Sequence, residues 1–354
     1  MKIDNDVKLD FDDVLLVPQR SKAASRKDVD LKRTFKFYHS NRDWNGIPIV
    51  AANMDTTGTF AMGTALSAYD CLTCLSKHHE ASSVASYYSM RNNQNNVWVS
   101  VGMEDDSDKI SEITDILGHS PNICVDVANG YTEKFIDRCA SIRRKFNDSI
   151  IMAGNICTPE MVSELILHGG VDIVKVGIGP GSACTTRLKA GVGYPQLSAI
   201  AECSHVAHGL SSDVGRLGLI CADGGCRYPA DVAKAYAAGA DFVMLGGMLA
   251  GTWECDGEWT YDENGERKSM SFYGMSSKKS QEKHGEGLQD YKASEGRVKT
   301  VDYKGTVFLT LRDILGGIRS ACSYTGATNL KDFSKTAKFI RVNRIHDNKS
   351  VEEL

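Results

Sequence analysis

The 354-residue sequence predicts an α/β fold, a (β/α)8 TIM barrel whose eighth strand runs into a long flap loop. Short β-rich or apolar runs recur along it: IPIVAAN from Ile47, CLTCLS from Cys71, VWVSVG from Val97 and ICVDVAN from Ile123. IIMAGN from Ile150, VDIVKVGIG from Val171, LGLICADGG from Leu217 and ADFVMLGG from Ala240 continue the series. Most begin about 25 residues apart, the length of one β-α unit. The runs are apolar throughout, as in parallel strands buried on both faces. Helix-like segments separate them, such as TPEMVSELILHGG from Thr158 and YPADVAKAYAAGA from Tyr228. Each opens with Pro in its first turn and closes on Gly. A doubly wound open sheet shares this alternation. Eight continuous strands favour the closed barrel.

The even spacing breaks twice. Between the sixth and seventh runs lies GPGSACTTRLKAGVGYPQ, followed by a helix around Leu197 to His208. After the eighth, a longer irregular stretch runs from about Gly251 to Lys304 through WECDGE, YDENGE, KHGEGLQ and KASEGR. WECDGEWTYDENGERK within it has the look of a hairpin. So long a loop in a compact domain is usually functional, often a lid over an active site. The expected organisation is a single catalytic barrel domain over 1–354, without an inserted regulatory domain. It comprises an N-terminal arm to about residue 45, a barrel over about 46–250, a flap over about 251–304, a closing helix at about 307–319 and a tail over about 328–354.

Composition narrows the function. With 41 Lys plus Arg against 45 Asp plus Glu, 42% apolar and 24% charged residues, the chain reads as an ordinary globular protein. Its net charge of -4 gives no basic footprint for nucleic acid or a membrane surface. No apolar run approaches the roughly 20 residues that span a bilayer. The opening MKIDNDVKLD is charged where a signal peptide is apolar, so a cytoplasmic location is expected. The 11 cysteines are odd in number and lack a framework spacing, which fits reduced thiols. Cys71 and Cys74 form a C-x-x-C in an apolar run, where they read as core residues rather than as a redox or metal pair.

In a barrel, chemistry sits at the C-terminal strand ends, and phosphate commonly binds after strands seven and eight. Strand seven ends in Asp223-Gly224-Gly225 and strand eight in Gly246-Gly247, where glycines leave amides open to phosphate oxygens. Asp223 suits ribose hydroxyls. The run Gly177, Gly179, Gly181 resembles a dinucleotide fingerprint only superficially, because Pro180 and a loop follow. Cys184 stands apart from the other thiols. It lies in a polar, Gly-rich loop before Thr185, Thr186 and Arg187, surroundings that favour the nucleophilic thiolate. Thr186 is placed to relay a proton. Glu286 and Glu295 are acid/base candidates if the lid closes. His78 and His79 follow strand two beside Lys77, but adjacent histidines rarely pair as ligands and no metal-type spacing accompanies them. Lys77 suits a negatively charged ligand.

Taken together, FDDVLLVPQRS, PIVAANMDT, GPGSACTTR, GVGYPQ, ADGGCRYPADVAKA, GADFVMLGGMLAGT, FYGMSS, KASEG, YKGTV and LRDILGGIRSACSYTGA run from Phe11 to Ala327. On these strings the chain resembles the family of IMP dehydrogenases and GMP reductases, and within it the reductase branch. GVGYPQ, FYGMSS and KASEG are similar to the reductase versions of their motifs. The dehydrogenase lid carries an Arg-Tyr pair that is absent here, and only a short segment joins His79 to Val97.

The resemblance implies NADPH-dependent reductive deamination of GMP to IMP and ammonia, a step of purine nucleotide interconversion. It implies that Cys184 attacks the amino-bearing purine carbon to form a covalent thioimidate, while Thr186 and Glu295 protonate the departing ammonia. For GMP it points to Ser182, Asp223, Gly224, Gly225, Gly246, Gly247, Gly274, Met275, Ser276, Lys292, Ala293, Ser294 and Gly296. For the cofactor it points to Ser25, Arg26, Lys77, Asp126, Val127, Ala128, Ile178, Gly179, Met275, Tyr291, Ser320, Ala321, Cys322 and Ser323. A potassium ion is implied at the carbonyls of Gly179, Gly181 and Cys184 beside Arg187, and a homotetramer as the assembly. Lys292 departs from the Arg of vertebrate-type reductases, keeping the charge without the planar fork. Two rivals are an IMP dehydrogenase lacking regulatory domains, and a purine-nucleotide-binding barrel without catalysis.

Overall fold

The computed structural model describes residues 1, 3–90, 95–104, 107–213, 215–285, 287 and 293–342. Eight parallel strands form a closed barrel. They are β1 (Ile49–Ala51), β2 (Leu72–Cys74), β3 (Val97–Val101), β4 (Ile123–Asp126), β5 (Ile151–Ile156), β6 (Ile173–Val176), β7 (Leu219–Asp223) and β8 (Phe242–Leu245). β8 pairs with β1, which closes the ring and excludes the open doubly wound sheet. Helices α1 (Phe60–Ser67), α2 (Ala81–Met90), α3 (Ser107–Leu117), α4 (Glu133–Lys145) and α5 (Pro159–Leu167) follow the first five strands. β6 leads to α6 (Thr186–Lys189) and α7 (Gln196–Gly209), and β7 to α8 (Pro229–Ala237). α5 and α8 each begin at Pro, and left-handed glycines stop the chain after them: Gly170 at φ 65 and Gly239 at φ 112.

Strand residues alternate between the barrel interior and the helical layer. On β6, Ile173 joins the interior with Leu72, Trp98 and Met152, whereas Val174 and Val176 pack outward with Val162 and Ile166. The same alternation turns Lys175 inward. Cys71, just ahead of β2, and Cys74, its last residue, are buried in two different apolar clusters.

The arm closes the lower end of the barrel. Residues Arg33–Lys36 and Asp43–Gly46 form an antiparallel ribbon. Phe35 meets Phe242 with ring centres 4.7 Å apart, and Trp44 meets the same ring at 5.5 Å. Two buried carboxylates sit at this end, just ahead of β6 and β8. Asp172 accepts from Arg143 at 2.5 Å, and Asp241 lies 2.8 Å from His208 Nε2 and 3.2 Å from Arg33.

The flap differs from the irregular loop that the sequence suggests. β9 (Trp259–Tyr261), β10 (Arg267–Tyr273) and β11 (Val298–Asp302) form a three-stranded antiparallel sheet. The hairpin expected within it is the β9–β10 pair. Its turn is closed by Asp262, whose carboxylate accepts from the amides of Asn264 and Glu266, each at 2.9 Å. Helix α9 (Lys278–His284) leans over the barrel mouth, and α10 (Val307–Thr325) closes the fold six residues longer than expected. α11 (Leu330–Thr336) follows, and Phe339–Arg341 then pairs with Val14–Leu16 of the arm.

Candidate active site

At the opposite end from the aromatic plug, the strands end in polar residues around a cavity. Lys175, only 1% exposed, reaches up from β6 to bridge Asp126 of β4 at 2.5 Å and Asp223 of β7 at 3.3 Å. Asn155 of β5 donates to Asp223 at 2.9 Å and to the Gly177 carbonyl at 2.7 Å. Burial pushes the Asp126 carboxyl up, but the Lys175 ammonium, with help from Asn53 and Lys77, outweighs it and leaves the group below the ordinary range. Burial likewise opposes the Lys175 charge, yet the two carboxylates hold that ammonium well above its usual value. The bridge fixes the position of the Asp223 side chain at the end of β7.

Glycine is required where the chain crowds this floor. A Cβ at Gly177 would stand 2.0 Å from the Asp223 carbonyl, and one at Gly247 2.8 Å from Ser182 Oγ. Gly224 and Gly225 both have φ 88. The two strand-end pairs singled out in the sequence, Gly224-Gly225 and Gly246-Gly247, line one cavity with Ser182, Gly274, Met275 and Ser276.

Cys184 lines that cavity too, half-buried. Burial pushes the thiols of Cys71, Cys139 and Cys322 up to about 12. It also raises Cys226, the other half-buried cysteine, well above the ordinary thiol value. Cys184 Sγ lies 3.3 Å from Thr186 Oγ1, which donates to Glu295 Oε2 at 2.6 Å. Glu295 comes from the flap by a short strap. Thr185 N–H donates to the Glu295 carbonyl at 2.8 Å, and Arg297 N–H to the Ala183 carbonyl at 2.9 Å. Cys184 and Gly296 thereby form an antiparallel bridge. A Cβ at Gly296 would press within 2.8 Å of the Ser277 amide, which explains the glycine in KASEG. A thiol, a hydroxyl and a carboxyl thus stand in one hydrogen-bonded row at a cavity wall. Such a row can add sulfur to an electrophilic carbon and pass a proton to a leaving group.

Arg187 packs beneath this loop. It pairs with Asp10 at 3.0 Å and donates to the Tyr194 carbonyl at 2.5 Å, and its Nε is buried without a partner among the described residues. Gly179 turns around it at φ 85, with no room for a side chain beside Arg187 Cγ.

A second chamber adjoins the first through Asn53, Asp126, Val127, Ala128, Met275 and Ser276, and adds Lys77, His78, Gln281 and His284. The Gln281 side-chain oxygen is buried there without a partner among the described residues. Ile178 and Gly179 line the first chamber instead. Ser25 caps the short turn that carries Arg26. Arg26 meets Ser320 in a separate groove with Arg312 and Arg319, away from both chambers. Cys322 is fully buried in the core, so its side chain is not available to a ligand, whereas Ala321 and Ser323 are half-buried. Ala293 and Ser294 line neither chamber; Ser294 Oγ instead accepts from Lys278 N–H at 3.1 Å. Glu286, Tyr291 and Lys292 lie outside the described residues.

Sequence reasoning passed over Lys175, Asn155 and Asn53. The signal for Lys175 was present: a lone charge inside the apolar run VDIVKVGIG. It also found no metal pattern near His78, yet the fold brings Asp55 and His284 to that side chain.

A model of the IMP dehydrogenase / GMP reductase domain matches residues 8–350. Proteins called GMP reductase from Escherichia coli O81 (strain ED1a) and from Shigella boydii serotype 4 (strain Sb227) are each 51% identical over 358 aligned residues. Each alignment covers 98% of this chain and all of the relative. Among the described residues no helix is long and apolar enough to cross a membrane. With the closed barrel, the cysteine loop and its strapped carboxyl in place, the chain belongs to the IMP dehydrogenase / GMP reductase family of oxidoreductases.

Proposed function

We propose that this chain catalyses reductive deamination of GMP to IMP and ammonia, with NADPH as reductant. The observation that carries the reading is the row Cys184, Thr186, Glu295, whose two links measure 3.3 and 2.6 Å. The Cys184 sulfur bonds to the amino-bearing purine carbon. As the carbon–nitrogen bond breaks, its electron pair leaves with the amine, and Glu295 delivers a proton to that nitrogen through the Thr186 hydroxyl. A covalent thioimidate on Cys184 remains. After reduction at that carbon the carbon–sulfur bond breaks, its electron pair returns to Cys184, and IMP is free. Asp223, fixed by Lys175 and Asn155, is placed for ribose hydroxyls, and the glycine pairs at the ends of β7 and β8 for phosphate.

The second chamber fits a nicotinamide. It opens directly onto the first, carries the Lys77 cation, and holds the unpartnered Gln281 oxygen, an acceptor suited to a carboxamide. Lys77, Asp126, Val127, Ala128 and Met275 would hold the cofactor there, where it supplies hydride to the purine carbon. Ser25, Arg26, Ser320, Ala321 and Ser323 are assigned to a cofactor held by a neighbouring subunit of a homotetramer, since Arg26 and Ser320 share a cationic groove away from both chambers. Arg26 and Lys77 suit a 2′-phosphate. Potassium fits the cysteine loop in donor chemistry. The Gly181 carbonyl keeps a lone pair beyond its bond to the Cys184 amide at 2.9 Å, and the Gly179 and Cys184 carbonyls add hard oxygens. It would stiffen the loop that carries the nucleophile. A cytoplasmic location completes the reading.

The test is nicotinamide absorbance in two reactions with potassium present, GMP with NADPH and IMP with NAD, and with Cys184→Ala as control. Loss of NADPH with GMP alone, abolished in the variant, is expected. NADH formation from IMP would make the chain a dehydrogenase. Silence in both, with GMP still bound, would make it a binding protein.

A further inference from the structure

Three side chains of metal-ligand type meet at the outer rim of the second chamber. Asp55 follows β1, His78 follows β2 and His284 is the last residue of the lid helix α9. Their potential ligand atoms all lie within 4.8 Å of one another. The His78 and His284 rings are stacked with centres 3.5 Å apart and planes 2° from parallel. Both therefore present their edges to a shared space. Asp55 Oδ2 lies 2.6 Å from His284 Nε2.

The carboxylate is held in place by groups that are not ligands. Its side chain is only 3% exposed; Tyr273 donates to Oδ2 at 2.8 Å and Ser76 to Oδ1 at 3.2 Å. Outer-shell hydrogen bonds of this kind orient metal-binding carboxylates. Lysines oppose a cation: Lys77 and Lys109 lie near His78, and Lys283 Nζ stands 3.4 Å from Asp55 Oδ2, but the Lys283 side chain is 53% exposed and can swing into water.

Two imidazoles and a carboxylate form a ligand set suited to a borderline-soft divalent ion with one position left for water. Donors around tetrahedral zinc stand about 3.4 Å apart, so the cluster needs a contraction on the order of one ångström. The exposed His78 side chain has the freedom to supply it.

We propose that Asp55, His78 and His284 form a site for Zn2+ or a chemically similar transition ion, which clamps the lid helix to the barrel mouth. Both histidines line the second chamber, whereas the chamber of Cys184 does not include them. Ion binding therefore obstructs the dinucleotide and spares the nucleotide. That kinetic consequence rests on the proposed function; the binding itself does not.

The test uses the full chain carrying Cys184→Ala, so that the half-buried thiol cannot compete. Co2+ is titrated and read by its visible ligand-field bands, and Zn2+ by calorimetry, with neither substrate present. One ion per chain is expected, with affinity falling at least about 100-fold in His78→Gln and in His284→Gln. Lys283→Ala, a change at an exposed side chain, should tighten binding. Unchanged affinity in both histidine variants, thiolate charge-transfer bands in place of nitrogen and oxygen ligation, or no binding at all would each overturn the site. In the unmodified enzyme Zn2+ should raise KM for NADPH and leave KM for GMP unchanged. The reverse pattern would overturn the clamp.

Discussion

The two ends of the barrel are built from similar residue types and differ in what those residues leave free. At the lower end Phe35, Trp44 and Phe242 fill the opening, and Asp172 and Asp241 are closed off by Arg143, Arg33 and His208. At the upper end Lys175 ties Asp126 to Asp223, but the carboxylates still line an open cavity with glycine backbone around them. Buried charge is therefore structural below and poised above. One prediction follows: substitutions at the mouth change rate, and substitutions at the plug change stability.

Cys184→Ala should produce the largest effect, a loss of turnover of at least about 10⁴-fold with little change in melting temperature. Steady-state rates and calorimetry on the same sample check it. Lys175→Met tests whether the division is complete, because it takes from Asp126 and Asp223 the ammonium that bridges them. It should cost about 3–5 kcal/mol in denaturant unfolding and also raise KM for GMP, as Asp223 loses its anchor. Trp44→Ala should cost a similar about 3–5 kcal/mol while leaving kcat within about twofold, since only the plug is emptied. A large fall in kcat with Trp44→Ala would break the comparison.

The smallest effect is in acid. Burial pushes the Asp241 carboxyl up, but His208, Arg33 and Arg216 outweigh it and hold the group below its ordinary range. Its stabilising contribution is then complete above the unfolded value of about 3.9 and is lost as pH falls through the folded value. The stability advantage of the wild type over Asp241→Asn should therefore shrink on acidification below about pH 4. Asp172 has the opposite sign, because burial there exceeds the help from Arg143 and raises the carboxyl. Across its window, from about 3.9 upward to its folded value, stability should fall as pH rises, and Asp172→Asn should flatten that slope.

The barrel was legible because its strands are buried on both faces and so read as continuous apolar runs. The glycine pairs after Asp223 and Leu245, and the loop around Cys184, were legible from position and residue type. The flap sheet was hidden by its exposure. β11 carries VKTVD with no residue fully buried, and charged turns surround β9 and β10, so local pattern suggests a loop. Pairing between distant segments was hidden as well. Thr186 and Glu295 meet across 109 residues, and Asp55 meets His284 across 229. Nothing local encodes those contacts. Motif resemblance indicated the first, and only the fold indicates the second.

The central claim is that Glu295, carried in on the flap strap, acts on the leaving ammonia and not on the thiol. Glu295→Gln tests it most directly when two reactions of one preparation are compared. Reduction of GMP needs a proton delivered to the amine. Capture of Cys184 by 2-chloroinosine monophosphate, which carries chloride on the carbon that holds the amine in GMP, needs none, because chloride leaves as the anion. The account predicts that the variant loses about 10²–10⁴-fold in GMP turnover and keeps its rate of thiol capture nearly unchanged. Equal losses in both reactions would contradict it, assigning Glu295 to the thiol or to the shape of the loop.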